Sequence, residues 1–409
     1  MTTLPSAREL RERIDTAQVL TRFHHLERAL TIACGGWIAA VPRLEQKAAL
    51  ARAAWQCALA ADALRDRVFE LRYPSRLLEA GADAPAIAVY EAAIDAPGPD
   101  AFLRGLADVL CPALLAEYRD FLAATDEFDD GPTARILESA ARDKEEQIAV
   151  LRGHVFGTVP ETWPDELRRG LATLERPKGT PFRLAEDPAR DESYFAASVY
   201  WPDVVDPSYP YGEGLALQVR SAVSHLNEVW AVETAGAILE ALAEPLGWEF
   251  VRDAARWTYD ESRHMLMGKR RLEAWGIEPG LVPLGGYIYE ACKGQDPIYR
   301  LGMLGYFETK NIGRKRERAE AFRDMGDRMS ETDMEFDWAD ETLHAEYGRR
   351  WLKRLLETRG ENPEGWPAVL ERCEDLVAAR IARTTEAEQQ RIRACADRLL
   401  QEAGARALS

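Results

Sequence analysis

The sequence predicts an all-α protein built from two helical bundles, and three observations carry that expectation. From residue 8 to about 155, and again from 214 onward, apolar residues recur at helical spacing without strand-like alternation. Breaker residues such as Pro42, Pro74 and Pro132 punctuate these runs. Finally, one segment occurs twice: residues 260–272 read DESRHMLMGKRRL and residues 340–352 read DETLHAEYGRRWL, 80 positions apart.

Length and composition narrow the class. At 409 residues the chain exceeds one ordinary domain, and 46% hydrophobic with 30% charged residues suits a globular protein with a sizeable core. The 69 acidic against 52 basic residues leave a net charge of −17, which argues against nucleic-acid or anionic-membrane partners. Six scattered cysteines without a C-x-x-C pair argue against a disulfide framework or zinc ribbon. Neither the start of the sequence nor any later stretch has the apolar run of a signal peptide or membrane span. The expected location is cytoplasmic.

Four parts follow along the chain. Residues 1–155 form an N-terminal bundle with helices at about 17–41, 43–72, 99–126 and 132–153 and a short helix near 84–94. Pro42 marks a helix start, Arg72-Tyr-Pro74 a helix end, and Gly131-Pro132-Thr133 opens the fourth long helix. Glu27, Glu117, Glu138 and Glu145 can face inward, but no E-x-x-H occurs here, and His24 and His25 suit a cap or surface role better than ligation. This bundle is expected to be a metal-free scaffold. Residues 156–213, rich in proline and aromatics, form a strap with one short helix near 163–175, and its 195–213 part is placed to cover the mouth of the second bundle. Residues 214–358 form that bundle, with helices at about 214–243, 247–275, 298–324 and 331–358 and a short helix near 287–293. Residues 359–409 add two amphipathic helices, about 366–382 and 385–404, suited to external packing or to a homodimer interface.

The repeated segment carries the chemistry. Glu261 and His264, like Glu341 and His344, stand three apart, so on a helix each pair lies on one face. A di-metal site in a four-helix bundle takes Glu-x-x-His from two helices and one Glu from each of the other two. Glu308 lies 33 residues before Glu341, with the Met325-Gly326 turn close to midway. For the other half, Glu228 and Glu233 lie 33 and 28 residues before Glu261. The Pro245-Leu-Gly247 turn places Glu233 almost opposite Glu261, and Val232-Glu233-Thr234 repeats Phe307-Glu308-Thr309, so Glu233 is the preferred ligand and Glu228 a substitute or outer one. Asp260 and Asp340 each stand four before the motif histidine and are expected to hold its second ring nitrogen. Gly268 and Gly348 cost about 1 kcal/mol each against alanine in a helix interior, so backbone or a ligand is expected to approach them closely. A duplicated packing motif without metal is the competing explanation.

With these residues in view, residues 214–358 resemble the ferritin-like di-iron carboxylate superfamily. Asp260-Glu-Ser-Arg-His264 is similar to the D-E-x-R-H signature of bacterial multicomponent monooxygenase hydroxylase subunits, and Asp340-Glu-Thr-Leu-His344 departs from it only at Leu343. The resemblance implies a pair of iron ions, or Mn/Fe, reacting with O2, held by Glu233, Glu261, His264, Glu308, Glu341 and His344. Gly268 stands where ribonucleotide reductase small subunits carry a tyrosine, the chain is long for a ferritin, and the cysteine-rich iron site of rubrerythrins is missing. The implied activity is that of an oxygenase or oxidase hydroxylating, desaturating or N-oxygenating a small organic substrate. Trp230, Trp257, Tyr259 and Tyr306 are the candidate pocket, and an external electron donor is needed because the sequence carries no flavin or iron–sulfur motif. The alternative is a non-catalytic metal-binding helical protein, for iron handling or partner binding.

Overall fold

A computed structural model of the chain describes residues 12–157 and 162–407, apart from the side chains of residues 308, 309 and 311. The fold is all-α with two three-residue strands. It divides into two compact units: the described residues up to Cys34 with Ala53–Arg183, and Gly35–Arg52 with the described residues from Leu184 onward. The dividing points fall inside two helices, α1 (Arg13–Trp37) and α2 (Leu44–Leu71), so neither helix belongs wholly to one unit. The segment from 156 to 213 divides at Arg183, and the helices after residue 359 pack as part of the second unit.

In the first unit, the larger parts of α1 and α2 are followed by α3 (Ala84–Glu91), α4 (Pro99–Gly105), α5 (Cys111–Ala123), α6 (Glu127–Gly153) and α7 (Thr162–Thr173). The single helix expected at 99–126 is interrupted by a π-turn at Leu106–Leu110. Pro112 explains it: the ring has no N–H to donate and collides with the carbonyl four residues back. Asp130 breaks α6 with φ −143° and ψ 45°, so its regular part begins at Pro132, as the sequence indicated. Of the four inward candidates, Glu27 is fully buried, and it accepts hydrogen bonds from Tyr118 Oη at 2.6 Å and Lys144 Nζ at 2.7 Å. Lys144 also donates to Gln147 Oε1 at 2.8 Å, so the buried carboxylate has its counter-charge in a lysine. Glu117 pairs with Arg22, and Glu138 and Glu145 are exposed.

In the second unit, β1 (Phe195–Ala197) pairs in parallel with β2 (Pro283–Gly285), a contact too short to leave an alternating signature. Between them run α8 (Pro202–Val205), α9 (Leu215–Leu226), α10 (Val229–Ala241), α11 (Ala243–Leu246) and α12 (Trp248–Ala274). After β2 come α13 (Tyr287–Ala291), α14 (Pro297–Asp324), α15 (Arg328–Thr358), α16 (Trp366–Ile381) and α17 (Glu386–Ala407). The helix α12 packs against α9, α10 and α15, and α14 packs against α10 and α15. Among the described residues, no helix is long and apolar enough to cross a membrane.

One expected helix, 214–243, is broken at Asn227-Glu228, between α9 and α10. Asn227 is the cause. Its side-chain Nδ2 donates to Val223 O at 2.8 Å and Pro283 O at 2.9 Å, and its Oδ1 accepts from Gly285 N–H at 2.8 Å. The amide thereby competes with the helix ladder and clamps β2 to the break. Close approach explains the two motif glycines. A Cβ on Gly268 would lie 2.2 Å from Leu226 N in α9, and one on Gly348 would lie 2.7 Å from Gly305 Cα in α14.

Candidate metal centre

The two copies of the repeat face each other across α12 and α15. His264 Nε2 lies 3.3 Å from Asp340 Oδ2, and His344 Nε2 lies 3.4 Å from Asp260 Oδ2. Further along, Arg350 donates to Asp253 and Arg270 to Asp333. Partners rise along one helix as they fall along the other, so the helices are antiparallel and the repeat is reciprocal. The expected pairing of each aspartate with the histidine of its own helix is therefore corrected: each serves the opposite motif. Asp260 points across to α15, and Arg256 and Arg263 of its own helix also hold it, at 2.6 and 2.8 Å. Arg263 donates equally to Asp340 at 2.8 Å, so one guanidinium serves both aspartates, and Leu343 can stand where the second copy would carry an arginine.

Glu261 stands between the histidines. Its Oε2 is 3.5 Å from His264 Nδ1, and its Oε1 is 3.2 Å from His344 Nδ1 and accepts from Trp257 Nε1 at 3.0 Å. Around His264 Nδ1, Glu228 Oε2 lies at 3.4 Å and Asp337 Oδ1 at 3.5 Å. Neither His264 Nδ1 nor Glu228 Oε2 makes a hydrogen bond of ordinary geometry, although both atoms are buried. A cation 2.0–2.2 Å from its ligands sets neighbouring donor atoms roughly 3.0–3.5 Å apart, so this spacing suits a shared ion. Among the described residues, three groups have donor atoms within 4.8 Å of one another: His225 with Glu228 and Asp337; Glu228 with Glu261 and His264; and His264 with Asp337 and Glu341.

The structure brings together Glu261, His264, Glu341, His344 and Glu228 but puts Glu233 elsewhere. Glu233 is fully buried and pairs with Lys47 Nζ at 2.9 Å and with Arg190, a tertiary pairing that overrides the turn arithmetic. Glu228 instead meets the cluster, at the break between α9 and α10. Glu308 lies on α14, and its side chain lies outside the described residues. Asp337, which sequence reasoning missed, is fully buried, and it stands four before Glu341 and seven before His344, on one helical face. That spacing was the available signal. Lys315, also missed, donates to Asp337 Oδ1 at 2.6 Å and lies 2.7 Å from Glu341 Oε1. His225 sits behind Asp337. Arg271 donates to its Nδ1 at 2.6 Å, so Nε2 carries the proton and faces Asp337 Oδ2 at 3.2 Å.

The electrostatics suit a cation. Burial pushes His264 and His344 down, but the surrounding carboxylates prevail. Asp337, Asp340, Glu228 and Glu261 hold His264 well above the usual imidazole range, and Asp260 with Glu261 brings His344 up to about 9. Burial pushes the Glu261 carboxyl up, and the two imidazoles outweigh it and leave it below its ordinary range. Burial likewise raises Asp337, and Lys315, His264 and His225 bring it well down.

A cavity of about 110 Å³ opens onto Glu228, Glu261, Asp337 and Glu341. Trp230 lines it, and so do Tyr200 and Tyr211 from the 195–213 segment. The other three pocket candidates do not. Trp257 is spent on Glu261 and stacks on His344 with ring centroids 5.4 Å apart. Tyr259 lies beside Arg263, and Tyr306 donates to Glu374 Oε1 at 2.5 Å on the α16 side.

Among known families, the model described as "Protein of unknown function (DUF455)" matches residues 205–398, a stretch holding every residue of the cluster. No curated protein and no solved structure matches the chain.

Proposed function

We propose that this chain is a di-metal oxidoreductase that uses O2 on a small organic substrate, and that α9/α10, α12, α14 and α15 form a ferritin-like four-helix bundle around the ions. The observation that carries the reading is His264 Nδ1, buried without a hydrogen bond and with oxygens of three carboxylates 3.4–3.5 Å away. Glu228, Glu261, His264, Asp337, Glu341 and His344 would hold the ions. A pair of iron ions, or manganese with iron, supplies the redox chemistry with O2, and an external donor supplies electrons.

The chain's own residues prepare that chemistry. Asp340 and Asp260 accept the Nε2 protons of His264 and His344, which leaves each Nδ1 lone pair toward Glu261. Arg256 and Arg263 fix the two aspartates. Trp257 fixes one Glu261 oxygen and covers the His344 ring, which keeps water from that side. Arg271 orients His225, and His225 in turn holds Asp337.

The test is O2 consumption. Ferrous protein loaded without air should take up O2 with a visible absorbance change, and the Glu261→Ala and His344→Ala variants should not. Loaded wild-type protein inert to O2 would refute the oxidoreductase reading. Lys315 supports a second reading. Its ammonium already joins Asp337 and Glu341, as a second cation would, and so favours a single ion at Glu228, Glu261 and His264 in a non-catalytic role. One ion per chain rather than two distinguishes that reading.

A further inference from the structure

The cavity beside the cluster contains a cation the metal reading does not use. Arg318, on α14, lines it, and the guanidinium lies over the Tyr211 ring, 4.7 Å from its centroid. Among the described residues Arg318 has no carboxylate partner, in a chain with 69 acidic residues. Arg220 also lies 4.7 Å from the Tyr211 centroid, and it has a partner, Asp203 at 3.0 and 3.2 Å. Tyr211 is thus held by two guanidiniums, only one of them neutralised. A guanidinium left without a carboxylate at a cavity wall can make paired hydrogen bonds to a planar anion.

Size and lining narrow the ligand. A cavity of about 110 Å³ suits a ligand of on the order of ten non-hydrogen atoms. The rings of Tyr200, Tyr211, Trp230, Tyr287 and Phe307 line it, and such walls favour a flat, unsaturated body. Charge sets the order of binding. Four carboxylates, Glu228, Glu261, Asp337 and Glu341, line the cavity against Lys315 and Arg318, so without ions an anion is repelled. Two divalent ions neutralise the carboxylates, and Lys315 and Arg318 become excess positive charge.

We propose that the cavity takes a small aromatic carboxylate, whose anionic group is received by Arg318 and whose ring lies among the tyrosines facing the metal ligands. This rests on the metal reading above. Metal binding precedes ligand binding, because the ions reverse the sign of the cavity.

Calorimetric titration of the Mn(II)-loaded chain with benzoate and with its neutral counterpart benzamide tests this, with metal content measured in the same samples. Benzoate should bind at least about tenfold more tightly than benzamide. Arg318→Gln should keep its metal and lose that preference, and Arg318→Lys should retain part of it. Metal-loaded protein that binds both probes alike, binds neither, or keeps its preference in Arg318→Gln overturns the inference and leaves the metal reading standing. A chain that takes up no metal overturns both.

Discussion

His264 on α12 is held through Nε2 by Asp340 on α15, 3.3 Å away, and not by Asp260 one turn before it. The converse holds for His344 and Asp260, at 3.4 Å. Each half of the repeat therefore completes the other, and damage to one aspartate should be felt at the opposite histidine. Asp340→Ala should weaken metal binding by about 10–100-fold, as loss of a carboxylate behind a ligating histidine generally does. Competition with a chelator of known affinity measures it, and a change under twofold would show that the crossing does not support the ligands.

Glu228 and Glu233 separate ligation from structure. Glu228→Gln should lower metal content and leave folding nearly intact, because its carboxylate meets the cluster at the break between α9 and α10. Glu233→Gln should keep the metal but destabilise the second unit by about 3–5 kcal/mol, since Lys47 would remain buried without its counter-charge. Metal analysis beside urea unfolding distinguishes them. Loss of metal in Glu233→Gln with retention in Glu228→Gln would reverse the assignment.

Gly348→Ala and Gly268→Ala test the close helix crossings. The added methyl would meet Gly305 Cα at 2.7 Å in the first and Leu226 N at 2.2 Å in the second. Both neighbours are backbone and cannot swing away, so each variant should lose about 1–3 kcal/mol, Gly268→Ala the more. Thermal unfolding that rises in either variant, as helix propensity alone would give, contradicts this.

His24 governs part of the acid response of the first unit. Burial pushes its pKa down to about 4, against a backbone hydrogen bond to Ala61 that raises it. Between pH 6.5 and 4 the unfolded chain takes up a proton that the folded chain refuses. Stability from the neutral imidazole is therefore complete above pH 6.5 and is lost as the pH falls toward 4, about 3 kcal/mol in all. His24→Gln should flatten that acid limb. Equal losses in variant and wild type between pH 7 and 4.5 would contradict the assignment.

The helices were legible because their periodicity and breakers are local. The Met325-Gly326 turn falls where expected, with α15 opening on Asp327, whose carboxylate accepts from Ser330 N–H. The motif pairs were legible because i and i+3 share a face. Glu228 was legible too, as the substitute for Glu233: it stands 80 residues before Glu308, in the register of the repeat, whereas Glu233 does not. Asp337 has no counterpart in the first copy, where Trp257 occupies the equivalent position, so comparing the copies hid it. Lys315, Arg271 and the Asn227 clamp reach their partners only through tertiary packing. No local pattern in the sequence marks them.

Metal stoichiometry decides whether the cluster holds a pair of ions. Protein loaded with Fe(II) without air, then freed of loose metal, should retain about two ions per chain. Glu261→Ala, which removes the carboxylate between the two histidines, should retain almost none. Wild-type protein that keeps no iron, or a Glu261→Ala variant that keeps as much as wild type, would contradict the account.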